Sequence, residues 1–292
     1  MKGLAYTLLL VLISFSSMAQ KLEQKLQRQI EQEIKGFRGE IGVYVKHLKS
    51  GKEVRIQADT VFPTASLVKV PLLVGIFHQI HDGKYNLDQE FIYDAKRVYG
   101  GSGLMQFYKD SAKTDLSTMI SLMLTYSDNV TSLWIQELAG GGIQVNQLMD
   151  HYGLKDTKVN SRTEGRAKIW EKYGWGQTTP KEMATLFTLI REGKIINKEQ
   201  SVKMYRYLKN QYYNERSLSS LPPTVNTISK TGSVNQARGE VVLVNAPHGD
   251  IVFCILTKNN EDQSWTPLNE AEELTRRIAK LIWNFYEPTY KW

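Results

Sequence analysis

The 292-residue chain carries 37 Lys and Arg against 30 Asp and Glu, a formal net charge of +7, and one cysteine, Cys254. A single cysteine excludes an intramolecular disulfide, and the five histidines show neither metal-ligand nor triad spacing, so nothing calls for a metal. The cations are dispersed with no run of five or more, which speaks for a solvated basic surface and against nucleic-acid binding.

The chain opens with Lys2, an apolar stretch from Leu4 to Phe15, and the small-x-small tripeptide Ser17-Met18-Ala19. This predicts a secretory signal peptide over residues 1–19, cut after Ala19. The stretch is shorter than the ~20 residues of a bilayer span, which disfavours an uncleaved anchor. No later stretch is long and apolar enough to span. Residues 20–292 are therefore expected to be periplasmic or secreted, soluble and monomeric.

Leu22, Leu26, Ile30 and Ile34 recur every four residues and predict an amphipathic helix over Lys21–Phe37. Alternation over Ile41–Val45, a Lys49-Ser50-Gly51-Lys52 turn and Glu53–Ile56 predict a hairpin. From Ala65 to about Gly193 the pattern is mainly helical, with segments at Ser66–Ile80, Leu116–Tyr126, Thr131–Leu138 and Val145–Tyr152. Thr179-Pro180-Lys181-Glu182 starts a helix that runs to about Arg191: a cap, a first-turn proline, then a glutamate. Val202–Tyr213 is expected to be another helix. Beyond Pro222-Pro223, strands are predicted at Val225–Ser229, Gly239–Asn245 and Ile251–Thr257. Cys254, inside the last apolar run, reads as a buried small hydrophobe. Asn269–Tyr286 closes the chain as a long helix.

This order predicts an α/β protein with a five-stranded antiparallel sheet flanked by the terminal helices. The sheet lobe is expected over residues 20–62 and 218–292, and an inserted all-helical lobe over 63–217.

Three short motifs follow in order, each present once: Ser66-Leu67-Val68-Lys69, Ser127-Asp128-Asn129 and Lys230-Thr231-Gly232. A serine hydroxyl needs a base within hydrogen-bond reach to act as a nucleophile. Three residues apart on a helix, Ser66 and Lys69 share a face. A lysine that is buried and crowded by other cations can give up its proton and serve as that base. Taken alone, the pair reads more readily as a capping serine and a surface lysine. The three motifs together resemble the set that marks class A β-lactamases and penicillin-binding proteins.

The spacing of 61 residues from Ser66 to Ser127, and of 103 from Ser127 to Lys230, is similar to that family, and the resemblance covers essentially the whole exported chain. It implies a set of roles. Ser66 is the nucleophile and Lys69 its base. Ser127 passes a proton to the leaving nitrogen. Asn129 bonds the substrate amide. Lys230 supplies positive potential for the substrate carboxylate, Gly232 lets the substrate backbone lie close to the strand beside Thr231 and Ser233, and the amides of Ser66 and Ser233 form the oxyanion hole. Arg238, on the neighbouring strand, is a candidate second clamp for a substrate carboxylate.

The family hydrolyses its acyl-enzyme with a loop glutamate. Arg162-Thr163-Glu164 resembles its arginine-x-glutamate, lying 37 residues after Ser127 and 14 before Thr178. That makes Glu164 the expected deacylation base. The family's asparagine four residues later is replaced by Lys168, and the acidic partner of the loop arginine is missing near Gln177. The resemblance implies a β-lactamase that needs no cofactor, acts on a small β-lactam substrate and confers antibiotic resistance. The same residues also suit a D,D-peptidase acting on cell-wall peptides, or a β-lactam binder that stays acylated.

Overall fold

The computed structural model describes residues 23–292, so the expected signal peptide lies outside the described residues. Helix α1 (Gln24–Ile34) leads into β1 (Glu40–His47) and β2 (Glu53–Ile56), the predicted hairpin. The chain returns much later with β8 (Thr227–Val234), β9 (Ala237–Val244) and β10 (Ile251–Lys258), then the closing helix α9 (Glu270–Tyr286). The sheet order is β2-β1-β10-β9-β8, antiparallel throughout, with Tyr44 opposite Cys254 and Lys230 opposite Val241. This is the expected five-stranded sheet.

Burial explains why polar alternation fades in the last strands. Every residue of β9 is buried, because both faces of the sheet are covered. Val43, Val45, Phe253 and Ile255 face Leu26 and Ile30 of α1 and Leu274, Ile278 and Trp283 of α9. Tyr44, Cys254, Leu256 and Val241 face the other way, into one apolar cluster with the helices inserted between the hairpin and β8. The inserted helices and the sheet thus share a continuous core across the boundaries expected at 63 and 217.

Those helices are α2 (Lys69–His81), α3 (Leu116–Thr125), α4 (Asn129–Leu138), α5 (Gly141–His151), α6 (Ala167–Tyr173), α7 (Pro180–Arg191) and α8 (Lys198–Tyr207). Three local expectations change. Asn197 caps α8 through Gln200 N, so that helix starts and ends earlier than Val202–Tyr213. Ser66 lies in a 3-10 turn, Ala65–Val68, and α2 begins only at Lys69. The first late strand runs on past Gly232 to Val234.

Two small sheets carry too few residues to show a period. One joins β3 (Phe62–Pro63), β7 (Gly176–Thr178) and β6 (Lys158–Val159); the other pairs β4 (Glu90–Ile92) with β5 (Lys113–Asp115). Among the described residues no helix is long and apolar enough to cross a membrane.

Candidate active site

Ser66 follows Ala65, a non-glycine residue at φ +44°. Such backbone costs about 1 kcal/mol or more and persists where surrounding structure forces it. Here the chain leaves β3 and turns at once into the 3-10 segment, which sets Ser66 one turn before Lys69. Lys69 is fully buried, and its Nζ lies 3.0 Å from Ser66 Oγ.

Ser127 is the second left-handed residue of the site, at φ +53°. That bend turns both its carbonyl and its hydroxyl toward Lys69, at 2.6 and 3.0 Å from Nζ. Asn129 Oδ1 is the fourth neighbour, at 3.0 Å, and the amide orientation is set by Asn129 Nδ2 donating to Gly100 O.

Asp128, the middle residue of the motif, has a structural task. It is wholly buried, caps α4 through Thr131 N, and accepts from the amides of Leu104 and Met105. Gly103 packs so closely on Asp128 that a Cβ there would lie 2.4 Å from its Cα. The glycine loop 100–103 is therefore clamped onto the motif and forms one wall of the cleft.

Four acceptors surround one amine, and their chemistry constrains its protonation. An ammonium has three N–H donors and no lone pair. The Ser127 carbonyl and Asn129 Oδ1 can only accept, which commits two N–H bonds. A neutral Lys69 then has one lone pair, which can accept from the Ser66 hydroxyl or from the Ser127 hydroxyl, one at a time. Burial pushes the Lys69 ammonium well below its ordinary range; the nearby Lys230 charge adds to this and Asp128 opposes it.

Lys230 approaches from β8. It is fully buried, and its Nζ donates to Ser127 Oγ at 3.2 Å and to Thr231 O at 3.0 Å. Burial pushes its pKa down to about 7, helped by the Arg216 charge and opposed by Glu240. Gly232 is where β8 meets the serine turn. A Cβ there would lie 2.4 Å from Thr64 O and 2.9 Å from Ser66 N, so the strand can approach the Ser66 amide only with glycine. Thr231, Gly232 and Ser233 line one hollow with Ser66 and Ser127, of about 280 Å³.

The arginine in that hollow is Arg216, a residue the sequence motifs did not mark. It is buried to 4% exposure, donates to Gly232 O, Gly239 O and Ser233 Oγ, and pairs with Glu272 at 2.9 Å. Arg238, the expected clamp, is placed otherwise. Its guanidinium donates to the carbonyls of Val234, Asn235, Ala237 and Ser264, pairs with Glu272 and stacks on Trp265. It ties the β8–β9 turn to the segment before α9 and does not line the hollow. Arg216 stands just before a 3-10 turn (Ser217–Ser220), in a stretch without periodicity, so only spatial proximity reveals it.

Glu164 is not brought to the serine either. It is exposed, makes no hydrogen bond to Ser66, Lys69 or Asn129, and lines a separate hollow with Arg162, Trp170, Glu171 and Trp175. The loop is pinned by Arg166 rather than Arg162: its guanidinium donates to Asn160 Oδ1 at 2.7 Å and to Gln177 Oε1 at 2.9 Å. Trp175, which lines the Glu164 hollow, lies 5.8 Å from Lys69 Nζ and edge-on to Tyr99 at 5.4 Å. Lys168 lies on α6, exposed. Among the described residues no three His, Cys, Asp or Glu side chains gather as a metal site.

Known proteins resemble this chain in sequence and fold at low identity. Beta-lactamase VEB-1 of Pseudomonas aeruginosa is 21% identical over 89% of this chain and 90% of its own length. The extended-spectrum beta-lactamase PER-1 of the same organism is 23% identical over 94% and 92%. Among solved structures, PBP-A superposes with a TM-score of 0.81 at 24% identity, covering 92% of this chain and 98% of its own. A beta-lactamase from Chitinophaga pinensis gives 0.80 at 21%, covering 89% and 99%. The model of the beta-lactamase enzyme family matches residues 24–286, and the chain belongs to that family.

Proposed function

We propose that this protein is an exported serine hydrolase that opens β-lactams through a Ser66 acyl-enzyme, with β-lactamase activity and a role in β-lactam resistance. The observation that carries this is the buried, deprotonation-prone Lys69 at 3.0 Å from both Ser66 Oγ and Ser127 Oγ. Lys69 takes the Ser66 proton as Oγ attacks the lactam carbonyl. The C–N bond then breaks, Ser127 gives its proton to the departing nitrogen, and Lys69 reprotonates Ser127. The amides of Ser66 and Ser233 hold the oxyanion, which the Gly232 approach supports. Asn129 bonds the acyl amide, while Lys230, Thr231 and Arg216 receive the carboxylate beside the leaving nitrogen.

Exposure of Glu164 favours a second reading for the later half of the reaction. With no carboxylate bonded near Ser66, the acyl-enzyme persists and the enzyme suits a D,D-peptidase that cleaves cell-wall peptides. One experiment tests both. The purified protein is mixed with a chromogenic cephalosporin, and separately with a peptide ending in D-alanyl-D-alanine. Many turnovers of the first support the lactamase. A stoichiometric burst with D-alanine release from the second supports the peptidase. No Ser66 adduct by intact mass refutes both.

A further inference from the structure

Ser66 sits between two hollows of opposite chemical character. The first holds Ser127, the group that meets the leaving nitrogen, so the leaving side of a substrate lies there. Its charged residues are Glu215, Arg216 and Glu272; Glu272 is shared between Arg216 and Arg238, which leaves Arg216 with charge for the leaving-side carboxylate. The second, of about 320 Å³, lies on the side of Asn129, Trp175 and Ala237 and receives the acyl side. Its only charged residues are Lys172 and Lys258, with no carboxylate in its lining.

The two lysines differ. Lys258 is 3.3 Å from Glu40 and donates to Val61 O, so its charge is already answered. Lys172 has no ion-pair partner among the described residues, and its Nζ lies 5.0 Å from the ring centre of Tyr173, which lines the same hollow. Lys168 stands four residues earlier on α6, on the same face, also without an ion pair among the described residues. Repulsion at this spacing weakens a helix. Across residues 160–178 four cations face two carboxylates, Glu164 and Glu171, and both line the hollow beyond Trp175 instead.

Resting on the acylation reading above, we propose that the acyl-side hollow selects substrates whose acyl group carries a carboxylate, with Lys172 as the recognising cation and Lys168 reinforcing its field. The occupant is a cell-wall peptide with an acidic side group before the scissile bond, or a penicillin with an acidic acyl chain. The anomalous lysine of the loop thereby has a role in binding rather than in water activation.

The test compares carbenicillin with benzylpenicillin, which differ by one carboxylate on the acyl chain. Second-order acylation rates are read by intact mass for the wild type, Lys172→Gln and Lys172→Glu. The carbenicillin-to-benzylpenicillin ratio is expected to fall about fivefold in Lys172→Glu, less in Lys172→Gln, and to fall with added salt in the wild type. A ratio unchanged in Lys172→Glu overturns the inference, as does an equal slowing with both drugs, which marks a structural role. Adduct formation with an indifferent ratio leaves the acylation reading standing. Absence of any adduct removes both.

Discussion

Lys69 and Lys230 converge on one atom: their side-chain nitrogens lie 3.0 and 3.2 Å from Ser127 Oγ. Both are fully buried, and among the described residues neither has a carboxylate within ion-pair distance. Two ammonium groups sharing an acceptor in a buried site repel strongly, and burial together with the Lys230 charge holds the Lys69 ammonium well below its ordinary range. In the proposed reaction Lys69, which reaches Ser66 Oγ, is the base, and Lys230, which of the two hydroxyls reaches only Ser127 Oγ, is the retained cation. Acylation is then expected to rise as Lys69 deprotonates and to decline on the alkaline side once Lys230 loses its proton above about 7 in the free enzyme. The pH profile of the second-order acylation rate checks this, and loss of the alkaline limb in Lys230→Met identifies its source.

The same two lysines set a stability trend. A lysine whose folded pKa lies below its unfolded value binds fewer protons folded than unfolded across the interval between them, so stability climbs with pH there. For Lys230 that interval runs from about 7 to about 10.5, and below it the full cost of a buried cation applies. Lys230→Met is expected to stabilise the fold by about 1–2 kcal/mol at pH 6, with the gain shrinking toward pH 9. Urea midpoints at the two pH values measure it, and a gain that grows with pH contradicts the assignment.

Arg216 and Arg238 share Glu272 yet face different tasks, so their variants are expected to separate. Arg216→Lys keeps the charge but loses the fork to Gly232 O, Gly239 O and Ser233 Oγ, and should slow acylation about tenfold or more through weaker carboxylate binding. Arg238→Lys removes carbonyl contacts away from the hollow. It should cost about 2–3 kcal/mol of stability and leave the acylation rate of the folded protein within about twofold. Parallel melting and acylation measurements distinguish them; a reversed pattern returns Arg238 to the clamp position.

Much of this molecule could be read before folding. The helix and hairpin at the start, the three late strands and the closing helix all carry strong periods, because each has one face toward a core. The motifs named Ser66, Lys69, Ser127, Asn129 and Lys230 as neighbours, and these do meet. What could not be read depends on the backbone. Left-handed φ at Ala65 and Ser127 aims the nucleophile and the relay, and no residue-type signal announces it. Arg216 reaches the site from an aperiodic stretch, and Arg238 is turned away by four carbonyls. Glu164 fits the linear spacing, but Arg166 pins the loop so that Trp175 fills the side toward Lys69.

Gly232 offers a steric test of the site's architecture. Its missing Cβ leaves room for Thr64 O and the Ser66 amide, both backbone atoms that cannot swing aside. Gly232→Ala should push β8 away from the serine turn, lower stability by about 1–3 kcal/mol and slow acylation by about 100-fold, since oxyanion geometry tolerates little displacement. Gly51, whose Cβ would meet nothing within 4 Å, is the control for glycine replacement, although its φ of +70° makes a few tenths to about 1 kcal/mol of strain unavoidable. Acylation by Gly51→Ala at the wild-type rate, beside failure of Gly232→Ala, fits the packing argument. Equal rates in the two variants do not.

The fate of the acyl-enzyme rests on whether any carboxylate activates water. A general base typically contributes about 10²–10⁴ in rate. Glu164 is exposed, lies across Trp175 from the serine and bonds none of Ser66, Lys69 or Asn129. Glu164→Gln is therefore expected to leave the decay of the Ser66 adduct within about twofold of wild type, a change far below that of a lost base. The adduct formed with benzylpenicillin is followed by intact mass over hours after excess drug is removed. A 100-fold slowing in Glu164→Gln would instead require the loop to carry Glu164 past Trp175 during turnover. In that case Trp175→Ala, which opens the partition between the Glu164 hollow and the acyl-side hollow, should accelerate decay in the wild-type background and not in Glu164→Gln.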